Sequence, residues 1–277
     1  MAAEIPVFPK ASTISIHSGN IVNWNILKQK PSQGPTEELL DCISSTLTKW
    51  KEGIDVNEVQ YKDKLVCANE KFVETLNPTE RGDLKLTGEA AICMLCHQYQ
   101  AISLDTYLLP LGNIELETSI IETILIAFPE NILDADQFCL DDIKPIWETM
   151  EMFVQEEKVY FLGVSEMSKV QIEQLHDWAQ VKPTVNQVNL ASCCVMPPDL
   201  VKYAGESDIQ LLTHNDPKSI LQTESFQKVI GAIFTTRDAE GWEPQWTARY
   251  SCVIKGRGVI RSKGYIMKAA RDLKKRK

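Results

Sequence analysis

The stretch from Val159 to Leu190, VYFLGVSEMSKVQIEQLHDWAQVKPTVNQVNL, contains two short runs rich in β-branched residues with an amphipathic segment between them. VYFLGV and VNQVNL have the length and composition of buried strands, whereas SKVQIEQLHDWAQ has its apolar residues at helical spacing. Ser168 occupies an N-cap position, where its hydroxyl can accept a hydrogen bond from an otherwise unpaired backbone N–H. The stretch therefore predicts a strand, a helix and a second strand parallel to the first.

The same alternation continues on both sides of this unit. Strands are predicted at Thr123–Phe128 and Ile209–Thr213, and further helices at 141–157, 197–205 and 217–231. Strand starts recur roughly every 25–35 residues, which is the spacing of βα units. Upstream the pattern is less regular, with helices predicted at 36–51, 56–65 and 88–100 and strands at 84–87 and 107–111.

A chain of 277 residues with four clear βα units can form one large domain. These units favour an α/β fold of the (β/α)8 TIM-barrel type over an open doubly wound sheet. The composition, 44% hydrophobic and 24% charged, is close to that of an average globular protein. No apolar run approaches the roughly 18 residues of a membrane span, and no secretory signal pattern is visible, so we expect a cytoplasmic protein that does not bind membranes.

The charge is unevenly distributed along the chain. From Arg249 to Lys277 there are 11 basic residues and one acid, a local charge of +10, while the remaining residues carry −19. We therefore divide the chain into a barrel at 1–248 and a basic C-terminal segment at 249–277. The acidic body argues against nucleic-acid binding. The basic segment also contains apolar residues, a mixture that an interface strip would have: Val253, Ile254, Val259, Ile260 and Ile266.

The cysteines suggest two kinds of site. Cys93, Cys96 and His97 form a C-x-x-C-H motif, but haem attachment requires an export route and a zinc site requires more ligands, so we predict no haem and no metal. Cys193 and Cys194 directly follow the predicted strand VNQVNL, at the barrel face where loops build sites. They are either a buried thiol pair or a pair that can reach a partner chain.

The order of segments from Ile121 to Asp216 resembles the aldo-keto reductases, which are (β/α)8 barrels. The matching pieces include LIAFP, EEKVYFLGVSEMSKVQIEQL, VKPTVNQVNL and IQLLTHNDP. The resemblance implies a vestigial NADPH pocket in which Ser165 and Gln187 match the residues that hold the carboxamide. His214 replaces the stacking tyrosine and Glu166 replaces an asparagine. The family's catalytic histidine and lysine correspond to Ala127 and Glu89, so the resemblance implies no catalytic residues and no bound cofactor, with an active NADPH-dependent reductase as the alternative.

Nearly the whole chain is more closely similar to one branch of that superfamily, the regulatory (modifier or light) subunits of glutamate–cysteine ligase. NQVNLASCCVMPPDL at 186–200, DIQLLTHNDPK at 208–218 and RYSCVIKGRGVIRSKGYI at 249–266 carry this similarity. It implies a non-catalytic chain that forms a heterodimer with the catalytic (heavy) subunit, improves the use of glutamate and relieves inhibition by glutathione. It also implies an interchain disulfide, for which Cys193, Cys194 and Cys252 are the candidates.

The disulfide is testable on a non-reducing gel. After mild oxidation of the complex with the heavy subunit, we expect a heterodimer band that disappears when Cys193 and Cys194 are both replaced by serine. The bond should be partial under reducing conditions, because cytosolic thiol pools keep most cysteines reduced. A full band from the double variant would exclude both residues and leave Cys252 as the next candidate.

Overall fold

The structure is a computed structural model that describes residues 8–22, 24, 34–55, 62–69, 81–92, 120–190, 195–217 and 219–272. Its strands are β1 Thr13–His17, β2 Lys64–Ala68, β3 Leu84–Ile92, β4 Ile121–Ala127, β5 Val159–Ser165, β6 Val185–Asn189, β7 Gln210–His214, β8 Glu243–Ile254 and β9 Val259–Ala270. Its helices are α1 Pro35–Gly53, α2 Glu130–Leu133, α3 Leu140–Gln155, α4 Lys169–Trp178, α5 Pro198–Glu206, α6 Thr223–Ile233 and α7 Thr236–Ala239.

These nine strands form one sheet in the order β2-β1-β9-β8-β3-β4-β5-β6-β7. From β3 to β7 each strand pairs in parallel with the next, as expected of consecutive βα units. This parallel-rich sheet confirms the α/β, TIM-barrel-like fold class predicted from the sequence. Among the described residues, no ladder joins the two end strands, β2 and β7.

An antiparallel hairpin, β8–β9, lies in the middle of this sheet. β8 pairs with β3 and β9 pairs with β1, so the hairpin joins the two parallel parts of the sheet. The predicted boundary between residues 248 and 249 falls inside β8. Most of the basic segment that begins at Arg249 therefore belongs to the two central strands.

Two predicted helices are wrong over the residues that the structure describes. The helix predicted at 56–65 overlaps β2, which begins at Lys64, and the helix predicted at 88–100 overlaps β3, which ends at Ile92. β3 pairs with β4 on one edge and with β8 on the other. These two ladders outweigh the helical propensity of Glu and Ala in this stretch. The predicted strand at 107–111 lies outside the described residues.

The α4 helix begins as the sequence predicts. The Ser168 hydroxyl accepts a hydrogen bond from the Gln171 backbone N–H at 3.5 Å, and Gln171 Oε1 accepts one from the Ser168 N–H at 2.8 Å. This reciprocal pair satisfies two donors that a helix start leaves unpaired. It fixes the helix start directly after β5, so that the β5–α4 loop has one defined path.

The core consists of two hydrophobic clusters. The first packs α3, α4 and α5 against β3 to β5 and includes the fully buried Trp147. The second packs α1 and α6 against β1, β2 and β9. Within β9, Ile266 belongs to the first cluster, whereas its neighbours Tyr265 and Met267 belong to the second. Because successive side chains point to opposite faces of a strand, the two clusters lie on opposite faces of β9.

Arg271 holds the two ends of the described chain together. Its guanidinium donates to the backbone oxygens of Ala11 at 2.8 Å, Pro9 at 2.9 Å and Asp238 at 3.1 Å. It also lies 4.4 Å from the ring centroid of Trp242, a cation–π distance. The side chain is only 6% exposed, so these contacts are made away from water.

We expect Arg271→Ala to lower the free energy of unfolding by about 3 kcal/mol, since it removes two buried hydrogen bonds and a third that is half-buried. Arg271→Lys should recover part of this loss, because an ammonium group cannot reproduce the planar fork of a guanidinium. Urea denaturation followed by tryptophan fluorescence measures both. Arg257→Ala, at an exposed position, is the matched control and should change stability by no more than about 0.5 kcal/mol. Equal effects at positions 257 and 271 would contradict this role of Arg271.

Candidate functional site

A cavity of about 350 Å³ lies at the carboxyl ends of the parallel strands. Its wall includes Ala127 from β4, Ser165 from β5, Asn189 from β6 and His214 from β7, and Arg249 from β8 completes it. The carboxyl ends of parallel strands meet at one edge of a sheet, which is where barrels and open α/β sheets build their sites. The sequence therefore places polar side chains from four successive strands around one space.

A chain of charged contacts crosses the cavity wall. Arg249 Nη1 and Nη2 donate to Asp216 Oδ1 and Oδ2 at 3.1 and 2.8 Å. Asp216 Oδ2 lies 3.2 Å from His214 Nδ1, and His214 Nε2 contacts Glu166 Oε1. Asn189 Nδ2 donates to the Asp216 backbone oxygen at 2.7 Å and thereby fixes the loop after β7. We call Glu166, His214, Asp216 and Arg249 the charged network.

The charged network keeps its central histidine protonated. Burial alone would lower the pKa of His214, but its hydrogen bonds to Asp216 and Glu166 outweigh burial and raise that pKa to about 9. Burial would likewise raise the pKa of Asp216, but the hydrogen bonds from His214 and Arg249 lower it to about 2. At neutral pH the network therefore holds an imidazolium between two carboxylates.

Glu166 reaches the network from an unusual backbone conformation. Its φ of 66° lies in the left-handed region, which is unfavourable for a residue with a Cβ. Its backbone N–H donates to the Gln187 oxygen at 2.8 Å, and its side chain contacts His214. These two contacts hold the strained residue at the end of β5, where its carboxylate faces the cavity.

A second cavity, of about 370 Å³, lies between the same strands but nearer their amino ends, since Gln187 and Leu212 come two residues before Asn189 and His214. We call it the inner cavity and the first one the outer cavity. The wall of the inner cavity includes Thr87, Gln187, Thr213 and Ser251, and Arg249 lines both cavities. Gln187 Oε1 is buried and has no hydrogen-bond partner among the described residues. The inner cavity is therefore polar, and it contains an acceptor that a bound amide or a water molecule could satisfy.

The structure brings together the three residues assigned to a vestigial cofactor pocket. Ser165 and Gln187 are ladder partners on β5 and β6, and the Ser165 hydroxyl donates to the Gln187 backbone oxygen at 3.3 Å. His214 lines the outer cavity beside Ser165. The sequence analysis missed Asp216 and Arg249 as partners of His214. The spacing His214-x-Asp216 was the available signal, but nothing in the sequence indicated that Arg249 reaches them.

The outer cavity does not fit an anionic dinucleotide. Glu130, Asp134 and Glu166 line it together with Asp216, and Arg249 already donates twice to Asp216. Carboxylates repel phosphates, so this wall would disfavour the charged part of NADPH. Gln187 Oε1 in the inner cavity could accept a hydrogen bond from an amide, but it offers nothing to a phosphate. Over the described ranges, no group of three or more His, Cys, Asp or Glu residues is arranged to hold a metal ion.

The cysteine predictions have different outcomes. Cys193 and Cys194 lie outside the described residues, so their pairing stays a prediction. Cys252 is fully buried in the first core cluster, where its thiol cannot meet another chain without opening the core. Cys139, just before α3, is exposed and was not selected from the sequence. Glu89 lies on β3 opposite Leu125, and Ala127 is the last residue of β4.

Curated relatives match almost the entire chain. The glutamate–cysteine ligase regulatory subunit of Mus musculus is 42% identical over 264 residues, covering 95% of this chain and 94% of the mouse protein. That of Homo sapiens is 41% identical over 263 residues, with the same coverage. The chain belongs to the glutamate–cysteine ligase regulatory subunit family. A more distant relative, the putative regulatory subunit of Schizosaccharomyces pombe, is 29% identical over 123 residues, 44% of this chain and 42% of that protein.

No protein-family model matches this chain. Among solved structures, the aldo-keto reductase of Bombyx mori in complex with NADP is similar with a TM-score of 0.33 and 17% identity, covering 65% of this chain and 48% of that one. The aldose reductase of Giardia lamblia gives a TM-score of 0.30 and 16% identity, covering 62% and 52%. Family membership therefore rests on the sequence relatives. Within the described part of the chain, no helix has the length and apolarity to cross a bilayer.

The charged network predicts a specific dependence of stability on pH. The folded-state pKa of His214, about 9, lies above its ordinary value of 6.5. The stabilisation is therefore fully present below pH 6.5 and is lost as the pH rises through 9. His214→Gln should be less stable than the wild type by about 2 kcal/mol at pH 6, and the two proteins should converge above pH 9.

Urea denaturation at several pH values tests this dependence. His176→Gln, which removes an imidazole from α4 outside the network, is the control for loss of a histidine. If the difference between wild type and His214→Gln is the same at pH 6 and pH 10, the protonated network does not stabilise the fold.

Proposed function

We propose that this chain is a non-catalytic regulatory subunit that binds the glutamate–cysteine ligase catalytic subunit in the cytoplasm. In that complex it improves the use of glutamate and relieves feedback inhibition by glutathione. The observation that carries the proposal is the match to regulatory subunits over 95% of the chain.

A regulatory role requires that the chain favour one conformation of its partner. A subunit that binds the active conformation better than the inhibited one shifts the equilibrium by the difference between the two binding free energies. Coupling of about 1–3 kcal/mol, or 5- to 150-fold in affinity, is typical. A rigid sheet paired along nine strands is suited to this role, because a rigid surface loses little entropy on binding.

The outer cavity supports the non-catalytic part of the proposal. Reduction of a carbonyl needs a proton donor beside the reacting oxygen. Ala127 supplies only a methyl group at the end of β4, and His214 is held between two carboxylates. In the described wall of this cavity there is no tyrosine or lysine. Its position at the strand ends, with Ser165 and Gln187 nearby, is the observation that favours the alternative of an NADPH-dependent reductase.

The experiment is a glutamate titration of the catalytic subunit with and without this chain. Size-exclusion chromatography first establishes whether the two proteins form a heterodimer. We then expect the apparent KM for glutamate to fall several-fold, and the concentration of glutathione that halves the rate to rise. A shift in both constants of 5-fold or more would correspond to about 1 kcal/mol of coupling or more.

Two controls separate the alternatives. The chain alone should not ligate glutamate to cysteine, and it should not oxidise NADPH with aldehydes above a blank without protein. NADPH oxidation by the isolated chain would favour the reductase. A stable heterodimer with unchanged kinetic constants would confirm the partner but contradict the regulatory role.

A further inference from the structure

Over residues 249–271, the exposed side chains of the basic segment are concentrated in one place. The segment from Arg249 to Arg271 passes mostly through β8 and β9, where alternate side chains are buried in the two core clusters. Residues 255–260, at the tip of the hairpin, are the exception, because all six are exposed. We call residues 255–261, with sequence KGRGVIR, the hairpin tip.

The hairpin tip combines apolar side chains with positive charge. Val259 is 52% exposed and Ile260 is 47% exposed, although β-branched side chains in a strand are usually covered. Lys255, Arg257 and Arg261 are close to them in the sequence, which has no acidic residue between Arg249 and Arg271. In the fold, Lys255 Nζ lies 3.8 Å from Glu122 Oε1, so Arg257 is the basic side chain on which the charge argument rests. Charged rims around an apolar centre are the usual composition of a protein–protein contact.

The hairpin tip is held in one conformation before any partner binds. Gly256 and Gly258 have φ values of 74° and 64°, which glycine adopts without strain. The backbone N–H groups of Arg257 and Gly258 donate to the Ile254 oxygen at 3.3 and 3.2 Å. The turn is thus formed by its own backbone.

Lys255 fastens this turn to the rest of the sheet. Its backbone N–H donates to the Asp83 oxygen at 2.8 Å, and its ammonium group donates to the Gly82 oxygen at 3.0 Å. Both acceptors lie in the short 3₁₀ helix just before β3. A preformed turn loses little conformational entropy on association.

The hairpin tip and the outer cavity lie at opposite ends of the sheet. Ile254 pairs with Leu84, the first residue of β3, whereas the cavity lies at the last residues of β4, β5 and β7. A protein bound to the tip would therefore leave the cavity mouth uncovered. The two surfaces can be altered independently.

We infer that the hairpin tip is a docking surface for an acidic patch with an apolar pocket on the catalytic subunit, an inference that rests on the proposed function. Val259 and Ile260 would enter the pocket, and Arg257 would face the carboxylates. A carboxylate surface is favoured by charge complementarity, because the tip is basic on a chain whose first 248 residues carry −19. A nucleic acid or an anionic membrane presents an extended negative surface that would also meet the acidic body and be repelled by it, whereas a local acidic patch would meet the tip alone.

The test compares two tip variants in binding to the catalytic subunit, measured as association and dissociation rates. Val259→Ser with Ile260→Ser should weaken the affinity at least 10-fold, mainly through faster dissociation, because the buried apolar contact is lost. Arg257→Glu should slow association about 10-fold at low salt and reduce its salt dependence, because long-range attraction acts mainly on the association rate.

Matched controls are Val170→Ser and Lys202→Glu, which change an exposed valine on α4 and an exposed lysine on α5. Both should bind like the wild type, and thermal melting should show that all variants are folded. If wild type binds the catalytic subunit and the tip variants bind equally well, the docking surface is wrong while the proposed function stands. If the wild type does not bind the catalytic subunit at all, the proposed function is wrong, and so is the docking surface that rests on it.

Binding of the wild-type chain to duplex DNA or to vesicles of phosphatidylcholine and phosphatidylserine is measured in parallel. Loss of such binding in Arg257→Glu, with unchanged binding to the catalytic subunit, would assign the tip to a polyanion and overturn the inference. Absence of such binding, with weakened binding of the tip variants to the catalytic subunit, would support it.

Discussion

The pairing of the β8–β9 hairpin with both β1 and β3 is the constraint on which the rest of the structure depends. The parallel strands β3 to β7 bury their helices on one side, while β1 and β2 bury α1 as part of a separate cluster. The hairpin joins these parts through two antiparallel ladders, one along each of its outer edges. Without it, each part would expose an unpaired strand edge, which is costly in water and prone to association.

The same hairpin also links the fold to the candidate site. Arg249 lies on β8 within a continuous ladder with β3, which fixes its backbone. From there its guanidinium reaches Asp216 on the loop after β7. Asp216 orients His214, and His214 contacts Glu166 in its strained conformation. The site is therefore formed by contacts between residues distant in sequence, and its charges balance only when the sheet is complete.

The sequence predicted those elements whose signals are local. The βα units at 159–190 and the N-cap at Ser168 were predicted because periodicity and capping depend on neighbouring residues. The strand at β3 was mistaken for a helix beyond Gly88, because its conformation depends on partners more than 30 residues away. Resemblance to a known family identified Ser165, Gln187 and His214. Arg249 was assigned to the basic C-terminal segment, because its charge can be read from the sequence but its pairing with β3 cannot.

The arrangement of β8 limits how this chain can act on another protein. The strand carries Arg249 at its middle and leads to the hairpin tip at its carboxyl end, and it is paired along both edges. A shift of its register by one residue would turn every buried side chain to the opposite face, so the strand cannot act as a switch between two states. Pairing along both edges therefore fixes β8 in one register. The regulatory effect proposed above would then arise in the conformational equilibrium of the partner, through tighter binding of this chain to one of its states.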